Sequence, residues 1–451
     1  MSNTQLDDIL ARLSNDTRAK VAITDIDGIL RGKYIHIDKL KSALTGGFGF
    51  CDVVLGWDMA DECYDNAAFT GWHSGYPDAE VRLDPSTFRR VPWDDSVPFF
   101  LGDFVNGDET PLAVCPRQLL KKVIRRADDL GFSAKFGVEF EWFNFRETPQ
   151  SLADKSHVNP TPITPGMFGY SVLRSSLNSG FFKDIMDMLG AFGVPVEGLH
   201  TETGPGVVEA AIANTTPLEA ADRAVLFKSG VKEIAYRHGM IASFMAKWNA
   251  SLPGSSGHLH QSLWNAEGEN VFYDPQHPHG MSDMFKSYIA GQLKLLPAIL
   301  PLLAPTVNSF KRLVEGMWAP TRLTWAIDNR TVALRVIPGS PKSTRLELRV
   351  GGADLNPYLG IAAALAAGLY GIENQLKLEH APIVGNGYEA DAEHLPRDLD
   401  GAADQLEASS IARSLFGDAF VDHFVQSRRW EARQYRAAVT DWELKRYFEL
   451  V

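Results

Sequence analysis

An α+β fold is predicted by three observations. Several short segments alternate apolar and polar residues with the period of two that marks half-buried strands. Strand signals fill the first 110 residues, and the C-terminal third has the spacing of helices. Three of the period-two segments also carry ionisable residues along one face.

The strongest of these is Lys135 to Phe143, KFGVEFEWF, where Ala134, Phe136, Val138, Phe140 and Trp142 alternate with Lys135, Gly137, Glu139, Glu141 and Phe143. A strand places Glu139 and Glu141 on one face, about 6.8 Å apart. The other face is bulky and packs into a core, so the carboxylates line a cavity, where two like charges need cations, shared protons or water. Gly257 to Trp264, GHLHQSLW, puts His258, His260 and Ser262 together, and Thr344 to Val350, TRLELRV, does the same for Arg345, Glu347 and Arg349. Glutamate and histidine suit hard-to-intermediate metal ions, and the arginines suit phosphate or carboxylate. The three strands imply one polar chamber for divalent ions and a polyphosphate.

From the N-terminus, residues 4–14 read as a short helix, Val21 to Asp27 as a strand, 28–33 as a turn and Tyr34 to Ile37 as a second strand. The segment 46–65 is a loop carrying Asp52, Asp58 and Asp61, and 77–111 gives short strands between turns. These place a first domain at 1–110 and a larger one at 111–451. Pro116 opens a helix that Gly131 closes. Residues 147–169 read as a loop and 178–192 as a helix. In HTETGPGVVEAA, 200–211, a turn at Gly204-Pro205-Gly206 can return Glu202 and Glu209 to one place, or leave them exposed on a plain hairpin. Thr216-Pro217-Leu218-Glu219 has the pattern of a capping box opening a helix to Gly239. A helix at 281–299, a long loop at 308–320 and a strand TVAL between Arg330 and Arg335 follow. The closing helices fall at 355–375, 403–411 and 417–449.

Composition limits the function. The chain has 451 residues, 45% hydrophobic and 22% charged, the balance of a globular protein. A net charge of −12 argues against a nucleic-acid partner. Three cysteines, Cys51, Cys63 and Cys115, with no CxxC pair, argue against a disulfide framework or structural zinc, and for a reducing cytoplasm. No signal peptide is expected, and the apolar runs 295–305 and 359–372 are too short to span a bilayer.

GVEFEWF at 137–143, the glutamate pair at 202 and 209, and GSSGHLHQSL at 254–263 together resemble the glutamine synthetase superfamily, most closely its glutamate–amine ligases. NSFKRLV at 308–314, DNR at 328–330 and PKSTRLELR at 341–349 extend the likeness over nearly the whole chain. The resemblance implies a small β-grasp-like N-terminal domain and a catalytic domain built as a curved antiparallel sheet backed by helices. It implies one metal ion on Glu141, Glu202 and Glu209 and a second on Glu139, His258 and Glu347, with Mg²⁺ or Mn²⁺ as the ion and on the order of two or three per site. ATP would lie against His260, Ser262, Arg335, Lys342 and Arg345. Glutamate would sit against Gly254, His258, Arg312 and Arg349, with Arg330 on the transferring phosphoryl group. Family members assemble as stacked rings, here a dodecamer of two hexamers with active sites shared between neighbours. A carboxylate must be phosphorylated before an amine can displace its oxygen, and such a transfer needs oxygen-bound divalent ions and arginines aimed at the developing charge.

Departures from the family pattern point to the nitrogen donor. Trp318 stands where ammonia-using members carry a glutamate that closes over ammonium, and Pro253 replaces the usual asparagine before Gly254. An aromatic wall formed with Met317 suits a larger, partly apolar amine. A glutamate–amine ligase making a γ-glutamylamide is therefore expected, with an alkyl or aryl amine favoured. The alternatives are a glutamine synthetase using ammonia, a γ-glutamylpolyamine synthetase, and, further off, a non-catalytic relative or a phosphagen-type kinase. The base that deprotonates the amine is sought among Glu315, Asp52 and Asp58. Trp318 packing the loop while Glu315 does the acid's work is the competing reading.

Overall fold

The computed structural model describes residues 3–451, with side chains from Leu6 onward. Its secondary structure forms two sheets and a helical layer, an α+β architecture. The smaller sheet has six strands in the order Leu30–His36, Arg18–Thr24, Val97–Val105, Asp78–Leu83 and Phe48–Cys51, with Arg89–Val91 also on Val97–Val105. Arg18–Thr24 runs parallel to Val97–Val105, and that inner strand is buried along its whole length. A separate apolar cluster including Leu13, Val21, Leu40, Phe100 and Phe104 fills this part.

The larger sheet has eight strands. Its order is Trp325–Ile327, Leu334–Ile337, Arg345–Leu348, Gly257–Trp264, Ser133–Phe145, Val207–Thr215 and Val196–Thr201, with Ile241–Ser243 on the far end of Ser133–Phe145. All pairs are antiparallel except Trp325–Ile327 with Leu334–Ile337. Phe136, Val138, Phe140 and Trp142 lie at or below 1% exposure, and helices cover that face. The opposite face carries the glutamates and histidines.

Proline opens several backing helices at their first turn, in Pro116–Asp129, Pro217–Arg237 and Pro357–Glu373, where its missing N–H has no partner to lose. Asp283–Leu303 crosses Pro357–Glu373 at small residues. A Cβ on Gly291 would lie 2.3 Å from the carbonyl oxygen of Ala367, so only glycine permits this approach. The two parts meet at a buried arginine. Arg117 donates to Asp84, Asp103 and Asp222, with nitrogen–oxygen distances of 2.8 to 2.9 Å, and Tyr358 donates to Asp222 at 2.6 Å.

Several sequence expectations are corrected. The first two strands are Arg18–Thr24 and Leu30–His36, because Asp25 folds back to accept from the N–H groups of Asp27 and Ile29 and starts the turn early. The capping box at Thr216 does not form. Thr216 makes no side-chain cap bond, and Glu219 instead pairs with Arg89 at 2.7 Å and Arg223 at 2.8 Å. The 147–169 loop contains a helix, Pro149–Asp154, capped by Thr148 and Ser151. Arg335 lies within a strand, Leu334–Ile337, rather than beside one. The 308–320 loop begins with a four-residue helix, Ser309–Arg312. The last helix is interrupted: Asp418–Ala437 ends, and Thr440 and Glu443 cap a new one, Asp441–Tyr447. No helix among the described residues is long and apolar enough to cross a membrane.

Candidate active site

The alternation in Ser133–Phe145 sets the floor of a chamber of about 690 Å³. Sheet register decides which groups meet. Glu139 lies opposite His258, Glu141 opposite Glu209, and Glu209 in turn opposite His200. Glu347 lies opposite His260 on one side and Arg335 on the other. Neighbouring rungs therefore place four imidazole or carboxylate pairs on one face without help from loops. The hairpin 196–215 returns Glu202 and Glu209 to the same hollow.

The chamber wall includes Glu139, Glu141, Glu202, Glu209, His258, His260, Glu347, Arg312, Arg330, Arg335, Arg345, Arg349, Gly254, Met317 and Trp318. A smaller adjoining cavity of about 300 Å³ shares Glu139, His260 and Arg345 and adds Ser262, Lys342, Lys135 and Trp264. All the sequence-predicted site residues except the three candidate bases, Glu315, Asp52 and Asp58, line one hollow or the other. Glu315 is turned away: half exposed, it sits 3.3 Å from Arg322 and borders a separate groove with His394 and Arg397. Asp52 is buried and accepts from Thr70 at 2.8 Å, and Asp58 accepts from the N–H groups of Ala60 and Glu62 and from Trp430. Neither aspartate lines the chamber of its own chain.

The charges are crowded enough to shift one another. Burial and then Glu141, Glu139 and Glu202 push the Glu209 carboxyl up to about 10. Burial also raises Glu141, although Arg312 and the Ser256 N–H, 2.7 Å away, work against it. Burial alone would raise Glu139 and Glu347. The imidazoles of His260 and His258 hold Glu139 well below the carboxylate range, and His258 and Arg349 hold Glu347 at about 2. Burial, then Arg349, lowers His258 to about 4, and the carboxylates of Glu139 and Glu347 pull it the other way.

The ring nitrogens of both histidines face the carboxylates. Arg345 Nε donates to His260 Nδ1 at 3.2 Å, and His260 Nε2 is buried 3.0 Å from Glu139 Oε1 without a hydrogen-bond partner. His258 Nδ1 lies 3.3 Å from Glu347 and 3.9 Å from Glu139, and its Nε2 is buried without a hydrogen-bond partner. Two compact donor sets emerge, each with donor atoms within 4.8 Å of one another: Glu139, His260 and Glu347, and His200, Glu202 and Glu209. Five carboxylates and three imidazoles converging in one hollow, one carboxyl raised by its neighbours, fit divalent cations.

The remaining arginines are pre-aimed. Arg349 donates to Glu347 at 2.5 Å and Arg335 to the other Glu347 oxygen at 3.0 Å. Arg312 is fully buried and donates to the carbonyls of Val350 and Arg349; burial lowers it to about 10. Gly254 makes that approach possible, since a Cβ there would stand 2.4 Å from the Ala246 carbonyl oxygen and 2.7 Å from Arg312 Cγ. Trp318 is 57% exposed at the chamber's edge, with φ at +61° after Gly316 at +77°.

The glutamine synthetase catalytic-domain profile matches residues 113–447. The chain belongs to the glutamine synthetase family. It is 53% identical over 98% of its length to type-1 glutamine synthetase 2 of Dictyostelium discoideum, 85% of which is covered. It is 37% identical over 98% of its length to glutamate–isopropylamine ligase of a Pseudomonas species, 97% of which is covered. A structure of GmaS in complex with ADP superposes with a TM-score of 0.86 over the whole of both chains at 28% identity. The protein is thus an ATP-dependent ligase of the glutamine synthetase family, which uses divalent metal ions and small-molecule substrates and is oligomeric. Its fold is the glutamine synthetase fold.

Two wall residues were not read from the sequence. His200 stands two residues before Glu202, a spacing that strand periodicity could have flagged. Tyr170 stands in a glycine-rich loop with no periodic signal, and it reaches the chamber only because the loop is tied to Thr201.

Proposed function

We propose that this protein joins the γ-carboxylate of glutamate to a primary amine, with an alkyl or aryl amine favoured. ATP first phosphorylates the carboxylate to γ-glutamyl phosphate, the amine then displaces phosphate, and the products are a γ-glutamylamide, ADP and phosphate. The observation that carries the choice of amine is the edge formed by Met317 and Trp318, with the loop's carboxylate, Glu315, facing Arg322 outside the chamber. An indole in that place offers apolar contact and a π face instead of a charge for ammonium. The resemblance to an isopropylamine ligase supports the same reading.

In this reading Arg312, Arg349, Gly254 and His258 hold glutamate, and Arg330 faces the phosphoryl group in transfer. His260, Ser262, Arg335, Lys342 and Arg345 line the path of the nucleotide toward the smaller cavity. Glu139, His258 and Glu347, and Glu141, Glu202 and Glu209, would hold two cations, Mg²⁺ or Mn²⁺. Such ions neutralise the phosphate oxygens and so lower the cost of developing charge. Arg335 and Arg349 grip Glu347 from both sides and so fix its carboxylate before any ion arrives. The proposed setting is a cytoplasmic homo-oligomer of two stacked hexameric rings, with active sites completed between neighbours.

The second reading, a glutamine synthetase using ammonia, is favoured by the Dictyostelium relative. Phosphate release measured with glutamate, ATP and a panel of ammonium, methylamine, isopropylamine, ethanolamine, aniline and putrescine separates the two. An alkyl or aryl amine should show the highest kcat/KM, and a preference for ammonium at low concentration would overturn the amine-ligase reading.

A further inference from the structure

We infer that His200 is a nitrogen donor to the cation held at Glu202 and Glu209, that Tyr170 fixes its ring, and that this position selects Mn²⁺ over Mg²⁺. The inference rests on the reading of the chamber as a divalent-ion site and adds a ligand to it.

Strand register and a carboxylate contact place the ring. His200 lies on the strand Val196–Thr201 directly opposite Glu209, and strand periodicity puts it on the same side as Glu202. Its Nε2 is 3.3 Å from Glu202 Oε1, and one donor atom from each of His200, Glu202 and Glu209 falls within 4.8 Å of the others. Adjacent donors around an octahedral ion with bonds of about 2.1 Å are about 3 Å apart, and opposite donors about 4.2 Å apart. The observed spacing therefore accepts an ion with little rearrangement.

The face of the ring is occupied, so its edge is what the chamber meets. His200 stacks on Tyr170 with centroids 4.4 Å apart and planes 8° from parallel. Tyr170 is itself held to the His200 strand. Its N–H donates to the Thr201 carbonyl at 2.6 Å, the Ser171 N–H donates to Thr201 Oγ1 at 2.9 Å, and Thr201 Oγ1 donates to the Phe168 carbonyl at 2.9 Å. Tyr170 adopts φ of +54°, a left-handed conformation that a bulky side chain takes only when its surroundings impose it. A hydrogen-bonded loop thus clamps an imidazole whose nitrogen points at two carboxylates, the arrangement in which outer groups orient a metal ligand.

The chemistry follows from the donor. Mg²⁺ prefers oxygen and sheds water reluctantly, whereas Mn²⁺ accepts imidazole and carboxylate together in the same octahedral geometry. Replacing an oxygen ligand by nitrogen should move selectivity toward Mn²⁺.

The test uses the full-length protein without ATP, glutamate or amine, so its outcome is separate from that of the amine panel. Mn²⁺ binding is followed by electron paramagnetic resonance, with Mg²⁺ as competitor, and nitrogen ligation by the ¹⁴N modulation of the bound ion. His258→Gln with His260→Gln removes the other imidazoles. In that background ¹⁴N coupling should persist, and adding His200→Gln should abolish it. His200→Gln alone should weaken one class of Mn²⁺ site by about 10–100-fold and Mg²⁺ binding by less than about 3-fold. Tyr170→Leu should weaken Mn²⁺ at the same class more than Tyr170→Phe, which keeps the stack and gives up only the hydroxyl's contact with Glu202, and the retained Mg²⁺ binding of His200→Gln controls for folding. No ¹⁴N coupling in the double variant, or wild-type Mn²⁺ affinity in His200→Gln, would overturn the inference.

Discussion

Replacing Trp318 by alanine tests the amine assignment most directly. The side chain is 57% exposed in the protein without substrate. A tryptophan presents about 150–250 Å² of burial area, so roughly 100 Å² of indole remains to be covered. An alkyl amine covering half of that removes about 50 Å² of indole and a similar area of its own from water. At about 25 cal/mol per Å² the gross gain is about 2.5 kcal/mol. Ordering the loop and the amine offsets part of it, leaving about 1–2 kcal/mol. Trp318→Ala should therefore lower kcat/KM for isopropylamine by about 5–30-fold and leave the value for ammonium within about 2-fold. Trp318→Glu should go further and improve ammonium relative to isopropylamine. Steady-state phosphate release at saturating ATP and glutamate reads both values. An equal loss for the two amines would mean that Trp318 supports the loop rather than the substrate, and no loss would place the amine elsewhere.

Other consequences can be checked separately. Burial would raise the Asp84 carboxyl, but Arg117, Ser86 and Lys121 hold it at about 2, below the ordinary 3.8. A depressed carboxyl contributes stability that is complete above pH of about 4 and lost as pH falls through about 2, here about 2 kcal/mol. Acid-unfolding curves of Asp84→Asn should be lower at neutral pH and flatter across that window than those of the wild type. Arg117→Met should destabilise by about 3–5 kcal/mol in denaturant titrations, because three carboxylates lose their shared cation. Gly254→Ala should raise KM for glutamate at least about 10-fold, since the added carbon meets a backbone oxygen that cannot yield. Chelation should lower Tm by about 5 °C relative to protein in Mn²⁺ at about 100 times its Kd, a linkage of about 2.7 kcal/mol per site. An unchanged Tm would remove the case for cations in the chamber.

The site was legible wherever strand periodicity carried it. Glu139, Glu141, His258, His260, Arg345 and Glu347 lie on regular rungs, and alternation alone assigns their face. What alternation does not give is which strand lies beside which. The pairing of Glu209 with both Glu141 and His200 is a fact of tertiary register. Loops were less readable for a related reason. Glu315 and Trp318 are three residues apart, and only the left-handed turns at Gly316 and Trp318 decide that one faces the chamber and the other Arg322. The capping pattern at Thr216 failed because Arg89, distant in sequence, offers Glu219 a stronger, charged partner than a backbone N–H. The junction at Arg117 was also invisible, since its three aspartates come from separate segments.

The chemistry of this fold is divided between two kinds of support. The glutamates and histidines of the chamber floor stand on hydrogen-bonded rungs, where moving one residue shifts a whole strand. The lip at Met317 and Trp318 hangs outside that lattice and takes part in no ladder. Substitutions at a few loop positions can therefore reshape the mouth of the chamber while the lattice beneath it keeps its alignment.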